Sequence, residues 1–139
     1  MITLKINCIT VEEYLNIRAQ VQWRKLLPEQ AKLALDNSLR TVAAYDNDRL
    51  VGMGRIVGDG AVICYVQDLI VIPEYQRHGV GSMVLQSLIS FVESLRMKDS
   101  QMMLCLMCAK GREGFYEANG FTARPTSTLG PGMIQYLHE

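Results

Sequence analysis

Asp68-Leu69-Ile70-Val71-Ile72-Pro73-Glu74-Tyr75-Gln76-Arg77-His78-Gly79-Val80-Gly81-Ser82-Met83 changes character twice within sixteen residues. An apolar, β-branched run ends at Pro73. A polar loop with two closely spaced glycines follows, and a helical apolar pattern begins at Val80. The first turn of a helix has backbone N–H groups without intrahelical partners and a partial positive charge. Gly79 and Gly81 lack a Cβ, so an anion can come close to that backbone. Arg77 adds a cation and Ser82 a hydroxyl. The stretch reads as a pyrophosphate cradle. It is not a Walker loop, because no Gly-Lys-Ser/Thr is present, and not a dinucleotide fingerprint, because position 84 is Val84. The bland alternative, a glycine-rich loop without a ligand, is decided by the order of elements around it.

Downstream, apolar positions 84, 85, 88, 91, 92 and 95 form one stripe at helical spacing, which predicts a helix over 80–97. Met102 to Ala109 reads as an apolar strand, so strand, helix and strand form a right-handed parallel crossover. A short helix over 111–118 ends at Asn119-Gly120, a C-cap pair. Phe121 opens another strand, 125–132 is a polar loop, and Met133 to His138 is a final strand. Upstream, residues 2–6 alternate like a strand. Thr10 with Glu13 has capping-box spacing and starts a helix over 11–22. Pro28 opens a second helix running to Asn37. Then the period changes. Residues 41–45, 50–57 and 61–72 read as three strands joined by turns at Asp46-Asn47-Asp48 and Gly58-Asp59-Gly60. Gly52 and Gly54 read as a strand weakness or bulge, since no helix follows them.

The composition narrows the possibilities. The chain has 139 residues, 49% hydrophobic and 20% charged, the usage of a single folded domain. Fourteen basic and fourteen acidic residues balance, so no polyanion footprint argues for a nucleic-acid partner. No apolar run reaches the roughly 20 residues of a membrane span. The first residues do not read as a signal peptide, and the expected compartment is the cytoplasm. Cys8, Cys64, Cys105 and Cys108 sit among apolar neighbours and are expected to be reduced, buried thiols. Cys105 and Cys108 form a C-x-x-C, but three residues apart on a strand they face opposite ways. No metal site is expected.

At this point the chain resembles the GCN5-related N-acetyltransferases (GNAT). Their cofactor motif, Gln/Arg-x-x-Gly-x-Gly/Ala after a Val-x-Pro strand end, matches Val71-Ile72-Pro73 followed by Gln76-Arg77-His78-Gly79-Val80-Gly81. Their later Phe-Tyr-x-x-x-Gly-Phe signature matches Phe115-Tyr116-Glu117-Ala118-Asn119-Gly120-Phe121. The order of elements agrees along almost the whole chain. The resemblance implies one N-acetyltransferase domain over 1–139, of mixed α/β (α+β) class. Its central sheet would be largely antiparallel, with helices on both faces and a splayed parallel strand pair where acetyl-CoA enters. Leu69, Ile70 and Val71 would lie along the pantetheine arm, with the Val71 N–H donating to the thioester oxygen. Gln76, Arg77, His78, Gly79, Val80, Gly81 and Ser82 would hold the pyrophosphate, His78 mainly through its backbone. Tyr116 would protonate the departing thiolate. Many family members carry Asn where this chain has Cys108-Ala109-Lys110-Gly111, so one usual cofactor contact is missing or replaced.

The chemistry asks for the same parts. Transfer from a thioester to an amine develops an oxyanion, which fixed N–H donors stabilise. A phenol with an ordinary pKa near 10 can supply the proton the thiolate needs. Asp68 is the candidate to take the amine proton; its alternative is a strand-end carboxylate held in an ion pair. Tyr116 has a packing alternative as well. No cysteine nucleophile is needed. The expected reaction is acetylation of a primary amine on a small molecule, by direct attack with both substrates bound. Protein N-terminal or lysine acetylation is the alternative acceptor class, and a non-catalytic CoA-binding module the alternative role. A homodimer is allowed; nucleic acid, membrane and metal are not expected.

Overall fold

The three antiparallel strands expected between residues 41 and 72 are present in the computed structural model, which describes residues 1–138. They are β2 (Arg40–Asp46), β3 (Arg49–Gly58) and β4 (Ile63–Val71). Strand β1 (Ile2–Ile6) pairs antiparallel with β2, and β5 (Met103–Cys105) pairs parallel with β4. The strand order is β1-β2-β3-β4-β5. β4 starts at Ile63 rather than Ala61. The Asp59 carboxylate accepts from the N–H groups of Ala61, Val62 and Ile63 at 2.8, 2.8 and 3.0 Å, which extends the turn. Those three bonds hold the Asp59 carboxyl below its ordinary pKa.

Helix α1 (Val11–Gln20) has the expected capping box. The Glu13 N–H donates to Thr10 Oγ1 at 3.1 Å and the Thr10 N–H to Glu13 Oε1 at 3.0 Å. Helix α2 (Pro28–Asp36) carries its proline in the first turn, where the missing N–H costs no bond. Helix α3 (Val80–Leu95) buries Val84, Leu85, Leu88 and Val92 of the expected stripe, and Val80 with them, while Phe91 and Leu95 are half-buried. It ends two residues early, at Leu95.

The alternation of β3 places these helices on opposite faces of the sheet. A Cβ at Gly52 would stand 2.9 Å from Val80 Cγ1, and one at Gly54 would stand 2.7 Å from Leu88 Cδ1. Both positions therefore face α3. Arg55, one residue on, faces the other way and reaches the Ala34 carbonyl and Ser38 Oγ beyond α2. The two glycines are where α3 comes closest to the sheet. No helix among the described residues is long and apolar enough to cross a membrane.

Residues 1–106 form one unit, and a second begins at Met107. The buried core belongs to the first. The second contains α4 (Glu113–Ala118) and no strand among its described residues. The strands expected at Phe121 and over 133–138 are thus corrected to irregular chain. A strand exists only by pairing, and neither segment has a ladder partner among the described residues. β5 is also shorter than the expected 102–109. Of the cysteines, Cys64 is buried and Cys105 partly so, while Cys8 and Cys108 are exposed, against expectation. All four are free thiols.

Candidate active site

The site begins with an irregularity in β4. Met53 stands opposite Ile70 and Arg55 opposite Gln67, so Asp68 and Leu69 together face the single residue Gly54. This is a β-bulge, one extra residue on β4. Asp68 takes the left-handed backbone, φ 56°, which aspartate tolerates better than most residues. The Ile72 N–H donates to the Val51 carbonyl at 3.0 Å, so Ile72 turns its backbone toward β3. Strand alternation then turns the Val71 N–H and C=O toward the opposite edge. On that edge β5 pairs only with Ile63, Cys64 and Tyr65. β4 therefore runs on from Val66 to Val71 past its last partner in β5. An open strand edge results, offering backbone donors and acceptors to a ligand.

The bulge is held by a buried charge cluster. Asp68 Oδ1 accepts from Arg18 Nη1 at 2.8 Å and Gln67 Nε2 at 3.3 Å. Oδ2 accepts from Arg55 Nε at 2.7 Å and from the Tyr14 hydroxyl. The Asp68 side chain is fully buried, and those of Arg18 and Arg55 are 12% and 11% exposed. Burial first, then the Asp68 charge and hydrogen bond, push the Tyr14 phenol up to about 12. With four donors on two oxygens, Asp68 has no lone pair directed at a substrate amine. The ion pairs expected under the alternative reading of Asp68 are present.

The sequence reading missed Arg18, Arg55 and Tyr14. A signal was there. Tyr14 and Arg18 lie four residues apart on one face of α1, flanking the buried Ile17. Arg55 is a cation in the middle of an apolar run, with the only other charge of the strand at its first residue, Arg49. Both patterns ask for a buried counter-charge.

Beyond β4 the chain turns through a single helical turn, Pro73–Tyr75, braced by Glu74 accepting from Arg49 at 2.7 and 3.0 Å. The Gln76 side-chain amide donates to the Val71 carbonyl at 2.9 Å and ties the loop to the strand end. Arg77 and His78 are exposed. Arg77, φ 66°, and Gly79, φ 84°, both take left-handed backbone. Gly79 is the N-cap of α3 and supplies no side-chain cap. The first N–H to find a carbonyl in the helix is that of Met83, bonded to Gly79 at 3.1 Å. The N–H groups of Val80, Gly81 and Ser82 precede that bond, in the turn where helices bind anions. A Cβ at Gly79 would meet nothing within 4 Å, so the approach to this turn is open. Val80, packed against Gly52, fixes the start of α3 on the sheet.

In the second unit, the Phe-Tyr-x-x-x-Gly-Phe segment is a Schellman helix stop. The Phe121 N–H bonds to the Tyr116 carbonyl at 3.1 Å and the Gly120 N–H to that of Glu117 at 3.1 Å, with Gly120 at φ 95°. The hydrophobic contact that goes with this motif is Tyr116 against Phe121, ring centroids 5.9 Å apart and nearly perpendicular. Phe115 also meets Tyr116 edge-on, ring centroids 5.1 Å apart. The signature residues thus fix the rotation and tilt of the Tyr116 ring. Burial raises the pKa of the Cys105 thiol, and burial followed by the nearby Glu113 raises that of Cys108. Neither is an activated thiolate.

The Acetyltransferase (GNAT) domain family matches residues 37–123, which include β2 to β5, the loop, α3 and α4. The chain belongs to the GNAT acetyltransferase family. A GNAT-family acetyltransferase of Streptococcus pneumoniae TIGR4 is 33% identical over the full length of both chains, with a TM-score of 0.84. A protein of unknown function from methicillin-resistant Staphylococcus aureus is 29% identical and covers 98% of this chain and all of its own, with a TM-score of 0.85. An uncharacterised ycf52-like N-acetyltransferase of Prochlorococcus marinus is 31% identical over 86% of this chain. This chain spans 65% of that relative's length and 30% of that of a chloroplast GNAT of Arabidopsis thaliana. The GNAT cofactor is acetyl-CoA. The donor set suits its pyrophosphate and its amide-bearing arm: an uncapped helix start behind an open glycine, and a stretch of β4 edge that no strand among the described residues covers.

Proposed function

We propose that this GNAT chain transfers the acetyl group of acetyl-CoA to a primary amine, most simply that of a small molecule. One observation carries the reading. The open edge of β4 and the uncapped start of α3 are joined by the short loop 72–79, so amide recognition and anion recognition are close together in the chain. Leu69 to Val71 bind the arm, and the backbone of Gly79 to Ser82 takes the pyrophosphate with Arg77 beside it. Bound acetyl-CoA supplies the activated acyl group. The Val71 N–H, fixed by the bulge, serves as the donor where negative charge develops. Tyr116 supplies the proton to the leaving sulfur. Asp68 touches neither substrate. It positions, holding β4 in its bulged course through Arg18 and Arg55.

The acceptor is assigned to small amines because the segments expected to flank it, 11–37 and 125–132, carry no acidic run to select a basic peptide. A panel of small amines and of peptides with free N-termini or lysines, assayed by acceptor-dependent release of CoA thiol, tests this. Turnover confined to small amines is expected. Turnover confined to peptides would move the acceptor to protein. Binding of CoA without any acceptor-dependent release would make the chain a CoA-binding module.

A further inference from the structure

The buried cluster around Asp68 does not balance its own charge. Arg18 and Arg55 both pair with the one Asp68 carboxylate, and among the described residues no other carboxylate stands within ion-pair distance of either. The Tyr14 phenol, pushed up to about 12, adds no negative charge at neutral pH. Two guanidinium groups on one carboxylate leave a positive charge over. The two arginines differ in what surrounds them. Arg55 Nη1 reaches the Ala34 carbonyl at 3.5 Å, in the last turn of α2, where the helix dipole is negative. Arg18 has no helix end beside it. Its Nη2 donates to the Arg24 carbonyl at 3.0 Å, and its Nε is buried with no acceptor among the described residues. The surplus charge therefore sits toward Arg18.

Arg18 lies under a loop of fixed shape. α1 ends in a Schellman stop: the Trp23 N–H bonds to the Arg18 carbonyl and the Gln22 N–H to the Ala19 carbonyl, each at 3.0 Å, with Gln22 left-handed at φ 59°. The side-chain contact that completes the motif is Trp23 against Arg18, whose Cζ lies 5.4 Å from the ring centroid. Trp23 is 40% exposed, and Arg24 and Lys25 beside it are exposed as well. Residues 18–27 hold these cations and Arg18 and contain no acidic residue. A mostly buried cation under an indole, flanked by two solvated cations, attracts an anion more strongly than surface charge alone, because water screens it less. The site also adjoins the reaction. Asp68, the partner of Arg18, directly precedes Leu69, where the strand proposed to bind the acyl donor begins, and Val71 is no more than roughly 10 Å farther along that strand.

We propose that the acceptor is a primary amine that also bears an anionic group, a carboxylate or a phosphate, and that Arg18, Trp23, Arg24 and Lys25 receive that group while the amine reaches the acyl carbon near Val71. The inference rests on the acetyltransferase reading and narrows its acceptor. The transfer forms the N–C bond of the acetamide and breaks the C–S bond, and the proton lost by the amine balances the one gained by the thiolate. An anion at Arg18 neutralises the surplus charge without displacing Asp68. A lysine-rich peptide would add to that charge instead, so basic peptides are disfavoured at this site.

Trp23 is the only tryptophan in the sequence, so its emission reports on this subsite. Glycine, β-alanine and 4-aminobutyrate are titrated against their amides, and O-phosphoethanolamine against ethanolamine, in the presence of CoA. A saturable change in emission is expected with at least one anionic amine, about tenfold tighter or more than with its neutral counterpart. Which anionic series binds tighter tells carboxylate from phosphate. Arg24→Gln/Lys25→Gln, both exposed positions, is expected to shrink the preference several-fold. Equal affinity within each pair, no saturable change with any anionic amine, or a preference that the double substitution leaves intact overturns the proposal. Acceptor-dependent release of CoA thiol on the same pairs separates the two claims. Anion-selective binding without turnover keeps the subsite and removes the acetyltransferase reading. Turnover indifferent to the anionic group keeps that reading and overturns the subsite.

Discussion

Replacing Asp68 by Asn removes one negative charge from between two guanidinium groups while keeping the shape of the side chain. Both ion pairs are short, 2.7 and 2.8 Å, and all three side chains are at least mostly buried. Removing one partner of such a pair leaves buried charge uncompensated, which costs about 3–5 kcal/mol. Here two arginines are left, so the upper part of that range applies. With a urea dependence of roughly 2 kcal/mol per M for a domain this size, the unfolding midpoint falls by about 2 M. Asparagine also tolerates left-handed backbone, so the loss belongs to the charge. Asp68→Val adds a backbone penalty of roughly 1–2 kcal/mol. Lys32 and Asp36 form an equally short pair, 2.6 Å, but are 67% and 59% exposed. Lys32→Ala is expected to cost no more than about 0.5 kcal/mol. Urea unfolding followed by circular dichroism measures all three. An Asp68→Asn midpoint within about 0.5 M of the parent would refute the view that this cluster holds the bulge. If Asp68 positions β4, as proposed, the acid limb of the pH–rate profile persists in the folded variant. Its disappearance would restore Asp68 as the base.

Further outcomes follow from other parts of the molecule. The phenols of Tyr14 and Tyr45 are both pushed up to about 12, chiefly by burial. The folded chain therefore keeps protons that the unfolded chain releases above pH of about 10. Stability from these groups is full below that pH and is lost as pH rises toward 12, so melting temperature falls over that window. Tyr14→Phe makes the fall shallower, and a flat profile in the parent would contradict the assignment. Gly54→Val drives a side chain into Leu88 and Val84 and is expected to cost about 1–3 kcal/mol, read as a lowered urea midpoint; an unchanged midpoint would mean that α3 does not press on β3 there. Tyr116→Phe keeps CoA affinity and slows turnover on the order of 10²–10⁴-fold. An unchanged rate under chemistry-limited conditions would make Tyr116 a packing residue only.

Local rules read the framework well. The capping box at Thr10, the proline opening α2, the stripe on α3 and the Asn119-Gly120 stop each depend on residues within one or two turns, and each is present. What lay beyond reading was set by pairing at a distance. β5 stops at Cys105, because a strand's length is decided by its neighbour and not by its own apolar run. Phe121 and Met133 to His138 have strand composition but no ladder partner among the described residues. The motif loop was legible because its glycines, its proline and its helix start are contiguous. The charge cluster was not, because Arg18, Arg55 and Asp68 lie far apart in sequence and meet only when α1 and the bulged β4 pack together. Gly52 and Gly54 read as a strand weakness. They face α3, and Gly54 sits opposite the bulge itself.

The central claim is that the first turn of α3 and the edge of β4 bind CoA. Calorimetric titration of CoA into the parent chain and into Gly81→Val tests it most directly. Gly81 lies inside the first turn at ordinary helical backbone, so valine needs no left-handed conformation there and crowds the N–H groups that would meet the pyrophosphate. The account predicts saturable binding by the parent and at least a tenfold loss in Gly81→Val, a difference of about 1.4 kcal/mol or more. Equal affinity in the two proteins, or no binding by the parent, would contradict it.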